Sequence, residues 1–452
     1  MSYINTLKSN VFVKQVLTLA SGSVVSAAIP LFASPILARL YSPAEFGQLA
    51  VFLGFVGVLS VIATMRYELA IMLPKNNEEA VNLIGLTASI SLIFTSIILL
   101  IIIFFKDSIL KMFGASSVGN YIYLVPIAVL ITSLNQIFNI WFSRQQKFKI
   151  LSYGNVAISC TQASTRLLLG LFKFNGGLII GTLFSLIFGV LFYFRNFFCK
   201  ASLGVFRLIS FNEVKRQARL HVLFPKFEVL SALINTISVQ IPVFMLSVHF
   251  SNKICGFYSQ ANNILTLPIS FLGVAVGQVY FQKASSLKDD FNRLRVLTFS
   301  IFKKLLLISI VPMMTIGIWG EKIFTFVLGD QWAVSGQFAQ YLWVWLLFVF
   351  ISSPLSFILS VLGKQKQGLI FNILILFSRF LSIYLGVIIF NDPNLTILLF
   401  GLIGAAFWCG YSLYLLKLVG VEYRVSLFFL IKVAVPVIIF VLFFLLFSNY
   451  GL

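Results

Sequence analysis

From Ala80 to Phe105 no residue carries a charge, and the run stops at ionisable side chains on either side, Glu79 and Lys106. A helix crossing the ~30 Å hydrocarbon core of a bilayer needs about 20 such residues at 1.5 Å each. The pattern recurs along the chain. With Pro, Gly and charged clusters as punctuation, apolar runs fall near 16–38, 47–64, 81–105, 121–141, 154–172 and 177–194. After a basic break they resume near 225–249, 262–281, 300–320, 338–361, 368–390 and 396–416, and a last run covers 431–448. Of the 452 residues 60% are hydrophobic and 10% charged, whereas a soluble domain carries roughly a quarter charged. No length is left for a separate water-soluble domain. The runs are too long and continuous for barrel strands, and in hydrocarbon each helix satisfies its own backbone. The expected fold class is an all-α polytopic membrane protein.

Lys and Arg number 33 against 13 Asp and Glu, a formal +20. In a soluble protein this would point to nucleic acid; in a membrane protein it points to loops retained in the cytoplasm. With the N-terminus cytoplasmic, 25 basic residues fall on the cytoplasmic side, in the N-terminal segment, the loops near 65–80, 142–153, 195–227, 282–304 and 362–368, and the segment 417–432. The other side holds 6, and Arg166 and Arg379 lie inside spans. That bias predicts an N-terminus-inside, multi-pass topology with no nucleic-acid partner. Lys8 and Lys14 precede an apolar stretch longer than a signal-peptide core, so the first span is expected to act as its own insertion signal.

The break divides six spans from six. The expected organisation is an N-terminal six-helix lobe at 1–194, a basic cytoplasmic inter-lobe loop at 195–224, a C-terminal six-helix lobe at 225–416 and an extra apolar segment at 417–452. Six is even, so both halves enter from one side and a repeat between them would be parallel. Pro35 and Gly47 are 12 residues apart near the start of the first half, and Pro242 and Gly256 are 14 apart at the matching place in the second.

Two spans at corresponding positions are unusually polar. The first carries Ser21, Ser23, Ser26, Pro30, Ser34 and Pro35; the seventh carries Ser231, Asn235, Thr236, Ser238, Gln240 and Pro242. Paired interrupted spans mark transport pathways, which makes Ser26, Asn235 and Gln240 candidate substrate contacts; close helix packing through small residues is the alternative. An Arg near mid-bilayer costs roughly 2.5–3.5 kcal/mol on insertion scales. Arg166 and Arg379, on the counterpart fifth and eleventh spans, are therefore candidates for an anion site or for structural pairing with polar groups on neighbouring helices. Arg39 and Arg66 close the first and second spans, either as cavity residues or as side chains reaching the interface. Guanidinium suits phosphate through two always-charged parallel donors. Glu228, early in the seventh span, is the one candidate ion-coupling carboxylate, with an ion pair to Lys226 as the alternative and Glu68 marginal.

No G-x-x-x-x-G-K-[ST] loop is present, so the chain is not expected to hydrolyse ATP. Cys160, Cys199, Cys255 and Cys409 have no paired spacing, and His221 and His249 cannot alone build a metal centre. The outer acids Glu45, Asp107, Glu321, Asp330 and Asp392 are dispersed on short loops rather than paired for acid–base work. Neither an enzyme nor a cofactor or metal is expected.

The stretch Ser34-Pro35-Ile36-Leu37-Ala38-Arg39-Leu40-Tyr41-Ser42-Pro43-Ala44-Glu45-Phe46-Gly47 resembles the "LARLxxPxxFG" start of polysaccharide and O-antigen flippases. So do Met65-Arg66-Tyr67-Glu68 through Pro74, Phe224-Pro225-Lys226-Phe227, Leu233 to Thr236, Gln240-Ile241-Pro242, Gly256-Phe257-Tyr258 and Phe281-Gln282-Lys283-Ala284. The resemblance covers about 16–416 and reaches the superfamily that also holds multidrug extruders and lipid II flippases. It implies two six-helix lobes around a central cavity that opens alternately to each side of the bacterial cytoplasmic (inner) membrane. The implied cargo is an undecaprenyl-diphosphate-linked oligosaccharide, moved to the outer leaflet for O-antigen, lipopolysaccharide or capsule synthesis, with membrane lipids, a polysaccharide polymerase and chain-length machinery as partners. Arg39 and Arg66 fall on its recurring positions; Arg166 and Arg379 match none of its motifs. A cation-coupled exporter of the same fold is the runner-up, disfavoured by the scarcity of intramembrane acids, and a membrane glycosyltransferase or polymerase is third.

Overall fold

A computed structural model of the chain describes residues 22–114, 118–198 and 209–448. Residues 16–21 of the expected first span, Lys8, Lys14, Cys199 and the middle of the basic segment lie outside the described residues. Every described element is helical and none is a strand. The long helices are α1 (Gly22–Leu40), α2 (Pro43–Ala63), α4 (Asn77–Met112), α5 (Leu124–Arg144), α6 (Phe148–Leu171) and α7 (Gly177–Phe198), with a single turn α3 (Tyr67–Ala70) between α2 and α4. Next come the surface helix α8 (Phe211–Leu220), then α9 (Val229–His249), α10 (Asn252–Pro268), α11 (Val274–Ser286), α12 (Phe291–Leu328), α13 (Ala333–Leu355), the turn α14 (Ile358–Val361), α15 (Gln365–Leu385), α16 (Pro393–Leu418) and α17 (Tyr423–Ser448). Among the described residues ten helical stretches are long and apolar enough to cross a membrane. The protein is a multi-pass membrane protein.

Helix α6, an expected span, is not among the ten because Ser152, Asn155, Gln162, Ser164, Thr165 and Arg166 dilute its apolar content. The run 262–281 is not one straight helix. α10 ends at Pro268, and a π-turn, Ile269–Gly273, joins it to α11. Pro lacks the N–H that would donate back to the preceding turn, so the helix bends there and continues in shifted register. Helices α4 and α12 run well past the expected 81–105 and 300–320, carrying their polar ends out of the apolar band.

Sequence explains where several helices begin. Ser42, Pro43 and Glu45 form a reciprocal cap on α2: the Glu45 amide donates to Ser42 Oγ (3.4 Å) and the Ser42 amide to Glu45 Oε2 (2.9 Å). Pro43 sits in the first turn, where a missing N–H costs nothing. Asp392 and Pro393 start α16 in the same way, the Leu395 amide donating to Asp392 Oδ1 at 2.9 Å.

The chain divides into two compact units, one ending at Gly256 and the other beginning at Phe257. In the first, Leu83, Ile137, Phe142, Tyr193 and Phe197 from α4, α5 and α7 form a core with Tyr67 and Ile71 at the α3 turn, and Val214 and Ala218 of α8 pack against it. Gly47 and Gly256, the two glycines at matching places in the halves, meet one another. A Cβ on Gly256 would lie 2.9 Å from the Gly47 amide nitrogen and against the Pro43 carbonyl, and one on Gly47 would press on the Asn252 carbonyl. In the second unit α12, α13 and α16 pack around Trp332, Phe338, Leu342, Phe350 and Phe400. α12 and α13 approach closely at Gly320, where a Cβ would stand 2.7 Å from the Gly336 carbonyl oxygen. Small residues at such crossings let helix backbones pack in lipid.

Candidate functional site

Three charged centres emerge, each inside one unit. The first is the connection between α2 and α4. Met65 and Arg66 adopt left-handed backbone at φ 48° and 58°, a conformation that costs a non-glycine residue of order 1–2 kcal/mol. Surrounding bonds hold it. The Arg66 amide donates to Thr64 Oγ1 at 3.3 Å, the Arg66 guanidinium pairs with Glu68 Oε1 at 3.3 Å, and Tyr67 Oη donates to the Ala218 carbonyl at 3.0 Å. Arg144 at the end of α5 donates to the carbonyls of Ile71, Met72 and Asn76 at 3.2–3.3 Å, closing the turn from the other side. Glu68 is 2% exposed. Burial pushes its carboxyl above the ordinary value near 4.5, while the Thr64 hydroxyl and the Arg66 cation pull it partly back.

The second centre is Arg166 on α6. Its Nη2 donates to Thr182 Oγ1 of α7 at 2.6 Å, and its carbonyl accepts from Tyr41 Oη, just past α1, at 2.7 Å. Thr182 passes its own proton to the Leu178 carbonyl, 2.7 Å away, leaving its oxygen free to accept. Gly181 makes the space: a Cβ there would come within 2.7 Å of Arg166 Cγ. The guanidinium Nε is buried with no partner.

The third is Arg379 on α15. Its guanidinium carbon lies 5.7 Å from the centroid of the Trp345 ring of α13, an arrangement that favours a desolvated cation over the negative ring face. Phe400 and Trp408 of α16, with Ser378 and Ser382, complete a small cavity of about 10 Å³, room for no more than one water. The cavity beside Arg379 is too small for a diphosphate.

The other sequence candidates fall elsewhere. Arg39, at the end of α1, is exposed. Ser26 is satisfied within its own helix by the Ser23 carbonyl at 2.9 Å. Gln240 faces α2, its Nε2 3.7 Å from where a Gly57 side chain would begin, whereas Asn235 is exposed; a separation of five residues puts them on different faces of α9. Glu228 is exposed at the start of α9, and no ion pair with Lys226 is among those the described residues form. Among the described residues of the first unit, the enclosed acid is Glu68. Tyr41, Thr182, Arg144 and Trp345 are residues that sequence reasoning passed over. Tyr41 follows the Leu37-Ala38-Arg39-Leu40 motif directly, but its partner is 125 residues away.

Solved structures share this long-helix fold. The lipid II flippase MurJ in an inward closed conformation superposes with a TM-score of 0.66 at 16% identity, covering 96% of this chain and 99% of that one. An inward-facing multidrug-resistance MATE transporter of the MOP superfamily gives 0.61 at 17% identity over 89% and 94% of the two chains. A Vibrio cholerae MATE transporter, VcmN, gives 0.58 at 14% identity over 94% and 100%. A comparison with curated protein sequences gives no match. The family model described as "Polysaccharide biosynthesis protein" matches residues 36–337, and the chain belongs to that family.

Proposed function

We propose that the protein is a flippase carrying undecaprenyl-diphosphate-linked oligosaccharide units from the cytoplasmic to the outer leaflet of the bacterial inner membrane, for O-antigen or capsule synthesis. The single observation that carries this reading is the family match across 36–337, on a chain whose fold is shared with a lipid II flippase. In this reading the two six-helix lobes rock around a central pathway. The exposed Arg39 and the partly exposed Arg66 meet phosphate, and Asn235 and Gln240 meet glycan hydroxyls. Arg166 and Arg379 brace their own lobes and reach phosphate only when α6 parts from α7, or α15 from α13. Glu68 replaces Glu228 as the acid best enclosed for coupling to a proton. Polymerase and chain-length machinery take the units after release.

The test is the sidedness of lipid-linked oligosaccharide in cells lacking the protein. Complete units trapped on the cytoplasmic leaflet, and released by complementation, are the expected result. Units reaching the outer leaflet at the normal rate would overturn the reading, and units never completed would move it to a glycosyltransferase.

A further inference from the structure

Within the second unit, an open groove of about 530 Å³ runs between α15 and α16, walled by Gln367, Phe371, Phe407, Gly410, Tyr411 and Tyr414. Its floor is the stacked pair Phe371 and Tyr411, ring centroids 3.5 Å apart at 14°. Gly410 is the informative residue. A glycine inside a helix costs about 1 kcal/mol relative to alanine. Many glycines in this bundle allow close crossings, but a side chain at Gly410 would meet no atom of the described residues within 4 Å, and its backbone is not among the left-handed positions. Among the described residues neither packing nor conformation calls for it, and its lack of a side chain leaves the groove open. Gln367 lies at one end, and its Oε1 is buried with no hydrogen-bond partner, an acceptor that a ligand or its bound water would satisfy.

That end is basic. α15 begins at Gln365 and α16 ends at Leu418, so Lys364 and Lys366 both precede Gln367, and Lys417, whose Nζ lies 4.7 Å from the Tyr423 ring centroid, stands one turn beyond Tyr414. The charge bias reads this end as cytoplasmic, and basic pockets between helices on that side suit anionic lipid head groups. A volume of about 530 Å³ lies within the ~300–1,000 Å³ of pockets that take one small ligand, which suits one acyl chain rather than a whole undecaprenyl tail. From the open glycine, the chain-sized volume and the lysine rim, we infer that this groove binds one acyl chain of an anionic membrane phospholipid, with the phosphate at Lys364, Lys366 and Lys417. The assignment is independent of the cargo.

The test is native mass spectrometry of the full chain in detergent, titrated with dioleoyl phosphatidylglycerol and, separately, dioleoyl phosphatidylcholine. The expected result is one retained phosphatidylglycerol, held about tenfold more firmly than phosphatidylcholine, as a few lysines near ~1 kcal/mol each allow. Gly410→Trp fills the groove and should abolish that retention; Gly410→Leu does the same with less bulk if the Trp variant does not fold. Lys364→Gln with Lys366→Gln and Lys417→Gln should leave chain binding but erase the preference. Equal retention of the two lipids by the wild type, or undiminished phosphatidylglycerol on a folded Gly410 variant, would overturn the inference. Displacement of the phosphatidylglycerol by an equimolar amount of undecaprenyl phosphate would also overturn it, reassigning the groove to the carrier tail.

Discussion

Arg166 on α6 and Arg379 on α15 both lie within long helices, yet the protein shelters them by different chemistry. Arg166 is held by directional bonds, with Thr182 at 2.6 Å, the Tyr41 hydroxyl on its carbonyl and a glycine clearing its path. Arg379 is held against rings, with Trp345 beneath it and Phe400 and Trp408 around. Taking a cation out of water demands compensation, and a hydroxyl or a π face can supply it. The hydroxyl fixes one geometry; the ring face tolerates sliding.

The sharpest way to break the comparison is at Gly181. Gly181→Leu drives a side chain into Arg166 and separates α6 from α7, and should destabilise the protein by more than about 3 kcal/mol, as overpacking around a buried charge does. Abundance in membranes and the denaturation midpoint in detergent would report it; a wild-type midpoint would refute the role given to Gly181. Thr182→Val should cost about 1.5–3 kcal/mol by stranding a guanidinium N–H, while Thr182→Ser stays near wild type. If both behave alike, the hydroxyl is not the partner that matters. On the ring side, Trp345→Leu should cost about 2 kcal/mol and Trp345→Phe about half of that, a graded response unlike the all-or-none response at Thr182. The smallest effect belongs to Glu68, the buried charge that titrates. Its carboxyl is raised above 4.5, so the folded state holds a proton that the unfolded chain has released. Stability is therefore greatest below about 4.5 and falls as pH rises through the interval up to the raised value. Glu68→Gln should flatten that slope in an unfolding series across pH, and an unchanged slope would assign the titration to another group.

Much of this architecture was legible in the residues. The uncharged runs located the helices, and Ser42-Pro43-Ala44-Glu45 is a capping signal whose bonds form as the chemistry requires. Pro35 to Gly47 and Pro242 to Gly256 were legible as matching spacings, but not that the two glycines touch, because a spacing carries no information about the partner across a bundle. The same limit applies to the arginines. Their positions inside apolar runs announced burial, whereas Thr182, Tyr41 and Trp345 lie 16, 125 and 34 positions away and only folding selects them. Glu228 and Glu68 show how poorly hydropathy foretells the enclosure of an acid. Glu228 sits in the more apolar run and is exposed; Glu68 sits in a polar loop and is enclosed, because the left-handed turn at Met65 and Arg66 folds it back onto the core. A backbone turn of that kind leaves no mark in hydropathy.

The central claim is that this chain moves a lipid-linked oligosaccharide across a bilayer. Its most direct test is the purified protein in vesicles carrying undecaprenyl-diphosphate-linked oligosaccharide, with glycan exposure read by a membrane-impermeant lectin, both with and without an imposed pH gradient. Glycan crossing between leaflets faster than in protein-free vesicles, and slowed by Arg39→Ala with Arg66→Ala in a folded protein, is the predicted result. Crossing no faster than in protein-free vesicles under either condition would contradict it.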